Sequence, residues 1–369
     1  MLRFHADKNL KAYWCTAAVE SAPVTAGNSG RGGLRVQWPH IIELSRLSAL
    51  TAAERLRKER IAILIDLDGW IGDEPPRTLM SSYPAPLRSQ WLGWAGSTAD
   101  PSIQQVVTDH LICPPSHHHL YNERLLLLPR TYQLNDHAQM YSHVLEPSQT
   151  ATQSGPRRVS MANFNQLMKL TPDVFSVWCG AMLRTYGSQL LLLTGVTGVH
   201  VAYPSAARNV RSEVALRGVH ISRLQHGGVM QKPQHLLRAA NCHLGVDTLS
   251  YNSHTTGADM LWSGLPLVTQ PGVAFSSRVA SSLVANAGVP SSRVGSLKSY
   301  EDFIHMLMST SESEVESSRL GGSFSPDHQR ETFGTFAFPW QTSQLSVGLM
   351  GPRPWSIELN AASAATSPP

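Results

Sequence analysis

Charge is scarce in this chain. Only 15% of its 369 residues are Asp, Glu, Lys or Arg, and the formal net charge is +4. Globular chains usually carry about a quarter. A nucleic-acid binder would show a dense basic patch, and none stands out. Cysteine is scarcer still. Cys15, Cys113, Cys179 and Cys242 lie far apart, with no zinc spacing and no disulfide framework, which points to a reducing compartment. No apolar run approaches the length needed to cross a bilayer. The opening residues 1–8 lack the apolar core of a signal peptide. There is no internal repeat. These absences lead to the expectation of a soluble intracellular protein with neither membrane nor nucleic-acid partners.

The length suits two ordinary domains plus a tail. The stretch from Asp247 to Gly272 organises the rest. Before it, Cys242 to Val246 is short and apolar, as a buried strand would be. Thr256 to Ser263 reads as a helix that Gly264 can end, and Leu265 to Thr269 as another strand. That order makes a βαβ unit. Its loop sets His254, Thr255 and Thr256 at the helix N-terminus, where unpaired N–H groups and the helix dipole favour an anion. Asp259, one turn in, could accept from ligand hydroxyls. Such a layout outlines a nucleotide-diphosphate site, although Ser and Thr at a helix start are equally ordinary caps.

Residues 1–145 read as a first α/β unit. Lys11 to Cys15 suits a short strand, Thr51 to Glu54 a capping box opening a helix through Arg60, and Ile61 to Leu67 a strand buried on both faces. Further strands are expected near Gln90 to Trp94, Gln105 to Thr108 and Leu125 to Leu128. Residues 146–158 read as a linker. The second unit, 159–308, opens with Val159 to Phe164, then a helix with Thr171 and Pro172 at its start and an apolar face of Val174, Trp178, Ala181 and Met182. Gln189 to Leu193 is strand-like, 194–220 has no clean period, and Ser276 to Ala287 forms another helix. Residues 309–369, rich in Ser, Gly, Pro and Thr, read as a mostly disordered low-complexity tail.

Lys232, His235 and Arg238 are three apart, so they lie along one side of a helix opened by Pro233. By spacing alone a solvated helix face is the better reading of the trio, and Lys169 alone reads as a surface lysine. Asp66-Leu-Asp68 has the Asp-x-Asp form that can hold a divalent metal, but it ends a buried strand of the other unit. His117, His118 and His119 are adjacent in a Pro-flanked loop, where three imidazoles rarely converge on one ion.

Four blocks together resemble the catalytic region of the protein O-GlcNAc transferase family. They are Ile63 to Trp70; Pro84-Ala-Pro86 with Trp91-Leu-Gly-Trp-Ala-Gly96; Asn163 to Lys169; and the Asp247 to Gly272 stretch. The resemblance spans roughly residues 35 to 307. It implies a GT-B fold, two Rossmann-like domains facing a cleft, with the nucleotide sugar held mainly by the second. It assigns Gln166 and Lys169 to the diphosphate, Lys169 stabilising charge on departing UDP. Lys232 and Asp259 match ribose contacts, His235 the uracil stack, Arg238 the uracil edge, and His254, Thr255 and Thr256 the diphosphate loop.

The resemblance thus implies an inverting transferase, independent of metal and of any cofactor beyond its donor UDP-GlcNAc. It would act on Ser/Thr hydroxyls of cytoplasmic or nuclear proteins. Three family parts are missing: a tetratricopeptide array, which a partner chain could supply; the opening strand and helix, with a histidine that His5 does not match in context; and the closing C-terminal helices. A SPINDLY-like fucosyltransferase using a GDP-sugar is the nearest alternative. The other is a non-catalytic nucleotide-binding fragment.

Overall fold

The computed structural model describes residues 10–16, 41–44, 47–71, 77–135, 137–145, 159–193, 204–289, 292–309 and 345–350. The expected linker at 146–158 lies outside them. The chain divides into two units, one of residues 1–136 with 336–369 and one of residues 137–335. Residues 137–145 therefore belong with the second unit, not with the first as composition suggested. The physical reason is packing: Val144 is buried against Leu236 and Trp262.

The first unit is a seven-stranded parallel sheet. Its strands are β1 (Leu10–Thr16), β2 (Ile41–Glu43), β3 (Ile63–Asp66), β4 (Leu87–Gln90), β5 (Gln105–Asp109), β6 (Arg124–Leu128) and β12 (Leu345–Met350), in the order β2-β1-β12-β3-β4-β5-β6. The last strand corrects the reading of 309–369 as tail throughout. Leu345–Met350 lies between β1 and β3, pairing Leu10 with Leu345 on one side and Ile63 with Val347 on the other. Helix α1 (Ala49–Lys58) starts earlier than its apparent capping box. The Thr51 N–H donates to Ser48 Oγ, so Ser48 is the cap. The helix turns Ala52, Ala53 and Leu56 inward against Leu64. A short helix α2 (Arg77–Ser81) precedes β4.

Strand β4 ends where a strand was expected to begin. After it, Leu92 takes a positive φ of 71° and the chain folds back on β3, the Gly93 N–H donating to Leu67 O at 3.0 Å. A methyl group on Gly93 would sit 2.2 Å from Leu67 O and 2.8 Å from Asp68 Cα. Backbone meets backbone there, so neither side can yield. Gly93→Ala should destabilise the first unit by about 1–3 kcal/mol, the usual cost of overpacking. Denaturant unfolding would check this, and an unchanged midpoint would refute it.

The second unit has five parallel strands, β7 (Ser160–Asn163), β8 (Gln189–Leu193), β9 (Leu224–Gly227), β10 (Leu244–Val246) and β11 (Leu267–Val268), ordered β11-β10-β7-β8-β9. In chain sequence this is the doubly wound order, reversing direction between β7 and β10. Its helices are α3 (His137–Met140), α4 (Pro172–Arg184), α5 (Pro204–Leu216), α6 (Lys232–Ala240), α7 (Thr255–Trp262), α8 (Val279–Asn286) and α9 (Leu297–Ser309). Helix α4 buries Phe175, Val177 and Cys179 beside its expected apolar face. Helices α5 and α9 were not anticipated, although Tyr300, Ile304 and Met308 of α9 recur every four residues and are buried. Tyr300 is fully buried, and its hydroxyl donates to Asp247 O at 2.9 Å, tying α9 to the end of β10.

Candidate functional site

Ligands of open α/β sheets sit outside the carboxyl ends of the strands where the order reverses, here the ends of β7 and β10. Both strands run out into buried polar residues. Asn163 donates to Val246 O at 2.6 Å, joining the two ends. Asn165 donates to Thr248 Oγ1 and Ser253 Oγ, each at 2.8 Å, and accepts from Thr256 Oγ1 at 2.8 Å. Asp247, fully buried, takes the Ser253 N–H and the Thr269 hydroxyl at 2.6 Å each. Burial pushes its carboxyl up to about 7 even so. The loop from Asp247 to His254 is thereby tied to β7, β10 and the residue after β11. It delivers the start of α7, which no side chain caps. Helix geometry leaves the first N–H groups there without an intrahelical partner, which suits an anion.

Lys169 reaches this loop from the 3-10 turn Leu167–Lys169. Its ammonium donates to Asn252 O at 3.1 Å and lies 4.1 Å above the Tyr251 ring. That ring stacks on His254 at 4.7 Å. Burial lowers Lys169 to about 8, with Asp247 pulling the other way. Burial and then Lys169 push His254 down to about 3, so its imidazole is neutral. Its Nε2, 3.2 Å from Ser276 O, must carry the proton. Gln166 is exposed and Thr255 half-buried at the same end of the sheet.

One turn into α7, Asp259 is 2% exposed. Lys232 Nζ donates to both its oxygens, at 2.9 and 2.7 Å. His137 Nε2 lies 2.7 Å from Oδ1 and His235 Nε2 3.5 Å from Oδ2. Burial opposes ionisation, but the hydrogen bonds of His137 and His235 and the charge of Lys232 outweigh it and hold the carboxyl far below the usual range. Arg238 donates to His235 Nδ1 at 2.9 Å and to Gly228 O at 2.7 Å, and its guanidinium sits 4.9 Å over Phe164. The expected trio of α6 does share one side, but Lys232 opens that helix and Pro233 follows it. With both Asp259 oxygens engaged, Lys232 still reaches solvent, its side chain 33% exposed, while His235 is buried.

Asn163, Asn165, Asp247, Tyr251 and His137 were missed from sequence. For Asn165 and Asp247 a signal existed: each stands just beyond a short apolar strand, where parallel sheets present polar groups to ligands. His137 has no local signal at all. The two metal-like motifs lie elsewhere. Asp66 is buried at the end of β3 and accepts the Asp68 N–H at 2.9 Å. His118 and His119 are exposed on the 3-10 turn Pro115–Leu120. Among the described residues no group of three His, Cys, Asp or Glu is placed to hold a metal ion, and no helix is long and apolar enough to cross a membrane.

The chain is similar to a probable UDP-N-acetylglucosamine–peptide N-acetylglucosaminyltransferase, SEC, of Arabidopsis thaliana. They are 31% identical over 278 residues, covering 74% of this chain and 28% of that protein. A protein named as the same transferase from Caenorhabditis elegans is 22% identical, with 72% and 32% covered. A SPINDLY protein of Eustoma exaltatum subsp. russellianum is 23% identical, with 78% and 30% covered. The chain thus spans under a third of the length of these curated relatives. In fold it is similar to a Thermobaculum terrenum O-GlcNAc transferase mutant at a TM-score of 0.70, with 24% identity, 88% of this chain and 63% of that one covered. This agrees with two parallel-sheet units of the GT-B type. The model of glycosyl transferase family 41 matches residues 21–161 and 156–319. On that match and the Arabidopsis relative, the chain belongs to glycosyl transferase family 41, the family of the O-GlcNAc transferases.

Proposed function

We propose that this protein is a glycosyltransferase moving N-acetylglucosamine from UDP-GlcNAc to Ser/Thr hydroxyls of proteins, with inversion and without metal. The observation that carries the reading is the gathering of two cation-bearing clusters around helix α7 at the reversal point of the second sheet. At its start stand Lys169, the His254 loop and the uncapped N-terminus of α7, suited to a diphosphate. One turn on, Asp259 holds Lys232 beside His235 and Arg238, suited to ribose and uracil. In the reaction the acceptor oxygen bonds to the anomeric carbon as the bond to the UDP oxygen breaks. The acceptor proton goes to a base, and the charge left on the β-phosphate falls to Lys169 and the helix dipole. No divalent ion is required for that neutralisation.

A second donor reading, a GDP-sugar, is the one implied by the resemblance to SPINDLY-like fucosyltransferases, although the Eustoma relative is itself named a probable UDP-N-acetylglucosamine–peptide N-acetylglucosaminyltransferase. The short span against the relatives favours a third, a nucleotide-binding part without turnover of its own. Calorimetry with UDP and GDP, each with and without EDTA, separates the donors. UDP should bind and GDP compete weakly, with no effect of the chelator. Lys232→Ala should weaken UDP by about 1–3 kcal/mol, the range for a lost charge-assisted hydrogen bond. Tighter GDP binding would replace the donor assignment. A loss of affinity in EDTA that manganese restores would end the metal-free reading.

A further inference from the structure

We propose that His137 is a positioning residue of the nucleotide site: its hydrogen bond to Asp259 fixes the carboxylate that aims Lys232 at the ribose. The inference rests on the ribose role given to Lys232 above. It starts from the cost of the Asp259 charge, whose side chain is 3% exposed. A buried carboxylate persists only where several donors satisfy it. Lys232 spans both oxygens, and His137 supplies the shortest remaining contact, 2.7 Å to Oδ1. Asp259 is ionised and can only accept, so His137 Nε2 carries the proton and donates.

Nothing about this contact is local. His137 lies 122 residues before Asp259 in the chain, while Lys232 lies 27 before it. Its ring stacks on Trp262, one helical turn beyond Asp259, with centroids 5.7 Å apart and planes 27° apart. Tyr141 lies 5.9 Å from the same ring. Behind them Val144 packs with Leu236 of α6 and Trp262 of α7. The segment 137–145 therefore bridges the two helices that carry Lys232 and Asp259, and packing fixes the direction of the imidazole N–H. Remove that N–H and Oδ1 keeps only Lys232. The ammonium must then satisfy the carboxylate more fully and is less free to offer its remaining proton to a ribose hydroxyl.

Two substitutions separate the donor from the packing. His137→Phe keeps a ring on Trp262 and removes the donor, whereas His137→Gln places an amide N–H near the former Nε2 and removes the ring. Calorimetry on the full chain would use UDP, 2′-deoxy-UDP and 3′-deoxy-UDP. His137→Phe should weaken UDP about tenfold and His137→Gln by no more than about threefold, as expected for one hydrogen bond to a charged group. The His137→Phe loss should vanish in a Lys232→Ala background and with one of the deoxy nucleotides, because it acts through Lys232 on a hydroxyl. If the phenylalanine chain does not fold, His137→Met against His137→Gln gives the same contrast. Equal losses for both substitutions, or a loss that persists with both deoxy nucleotides, would make His137 a packing residue and overturn the proposal. So would unchanged UDP affinity in His137→Phe alongside a clear loss in Lys232→Ala, with the ribose reading intact. If Lys232→Ala itself binds UDP normally, that reading fails and the proposal falls with it.

Discussion

Truncation of the chain at residue 335 should leave β1 and β2 unprotected while the second unit still binds UDP. Leu345–Met350 is the link between β1 and β3. Its backbone pairs with Leu10–Cys15 on one side and, from Val347, with Ile63–Asp66 on the other. Without it, β2 remains paired to β1, but that pair has lost its connection to the sheet. At about 1 kcal/mol per hydrogen bond, losing both ladders costs on the order of 5–10 kcal/mol, comparable to the whole stability of a domain. The exposed edge of β3 then becomes a template for pairing with other chains. Hydrogen exchange should show residues 10–16 and 41–43 protected in the full chain and exchanging freely in the truncated one, which should also aggregate more. Residues 137–335 form their own unit, so UDP affinity should stay within about twofold, a change too small to signify a lost contact. Retained protection of β1 after truncation would show that Leu345–Met350 is dispensable to the sheet.

That strand also shows where sequence reading stops. Leu345, Val347, Leu349 and Met350 are as apolar as an ordinary strand, but they stand within sixty-one residues of Ser, Gly, Pro and Thr, and composition averaged over that span hides them. The βαβ unit around Asp247 was legible because its signals are contiguous: an apolar strand, a polar loop, a helix, a glycine stop and a second apolar run. The structure keeps that order, with β10, α7 and β11 each trimmed or shifted by one to three residues. Lys232, His235 and Arg238 were legible as one helical side, since three-residue spacing is local. What they face was not. Asp259 meets them only because α6 and α7 pack together, and His137 joins from 122 residues upstream. Likewise the place of Asn165 just beyond an apolar strand marks it as a candidate, but what it joins shows only when β7 and β10 are set side by side and its amide becomes the tie between Thr248, Ser253 and Thr256. Periodicity reports which way a side chain points along its own element. It carries no information about the partner that another element brings.

Lys169→Met should cut turnover by about two orders of magnitude or more while UDP affinity changes little, the pattern expected when one stabiliser of developing charge is removed. The lysine is already held without ligand: Asn252 O takes one of its protons at 3.1 Å, and the Tyr251 ring underlies it at 4.1 Å. A preorganised cation costs nothing to orient when the β-phosphate becomes a leaving group. Methionine fills similar space over Tyr251 without the charge, so the loop should keep its shape. The charge also sets a pH limit. Burial lowers the ammonium to about 8, so it is charged below that pH and neutral above it. For the free protein, kcat/KM with a Ser/Thr peptide should therefore fall through about 8, approaching roughly tenfold per pH unit beyond it. Bound diphosphate favours the protonated lysine, so the same fall in kcat should come at higher pH. In Lys169→Met the limb in kcat/KM should disappear, leaving a low, flat profile across that range. A merely structural lysine would not tie the pH limb to the rate in this way. A variant in which UDP affinity and turnover fall in equal proportion would instead make Lys169 a ground-state contact. In that case the charge on departing UDP would be left to the N-terminus of α7, whose first N–H groups no side chain caps.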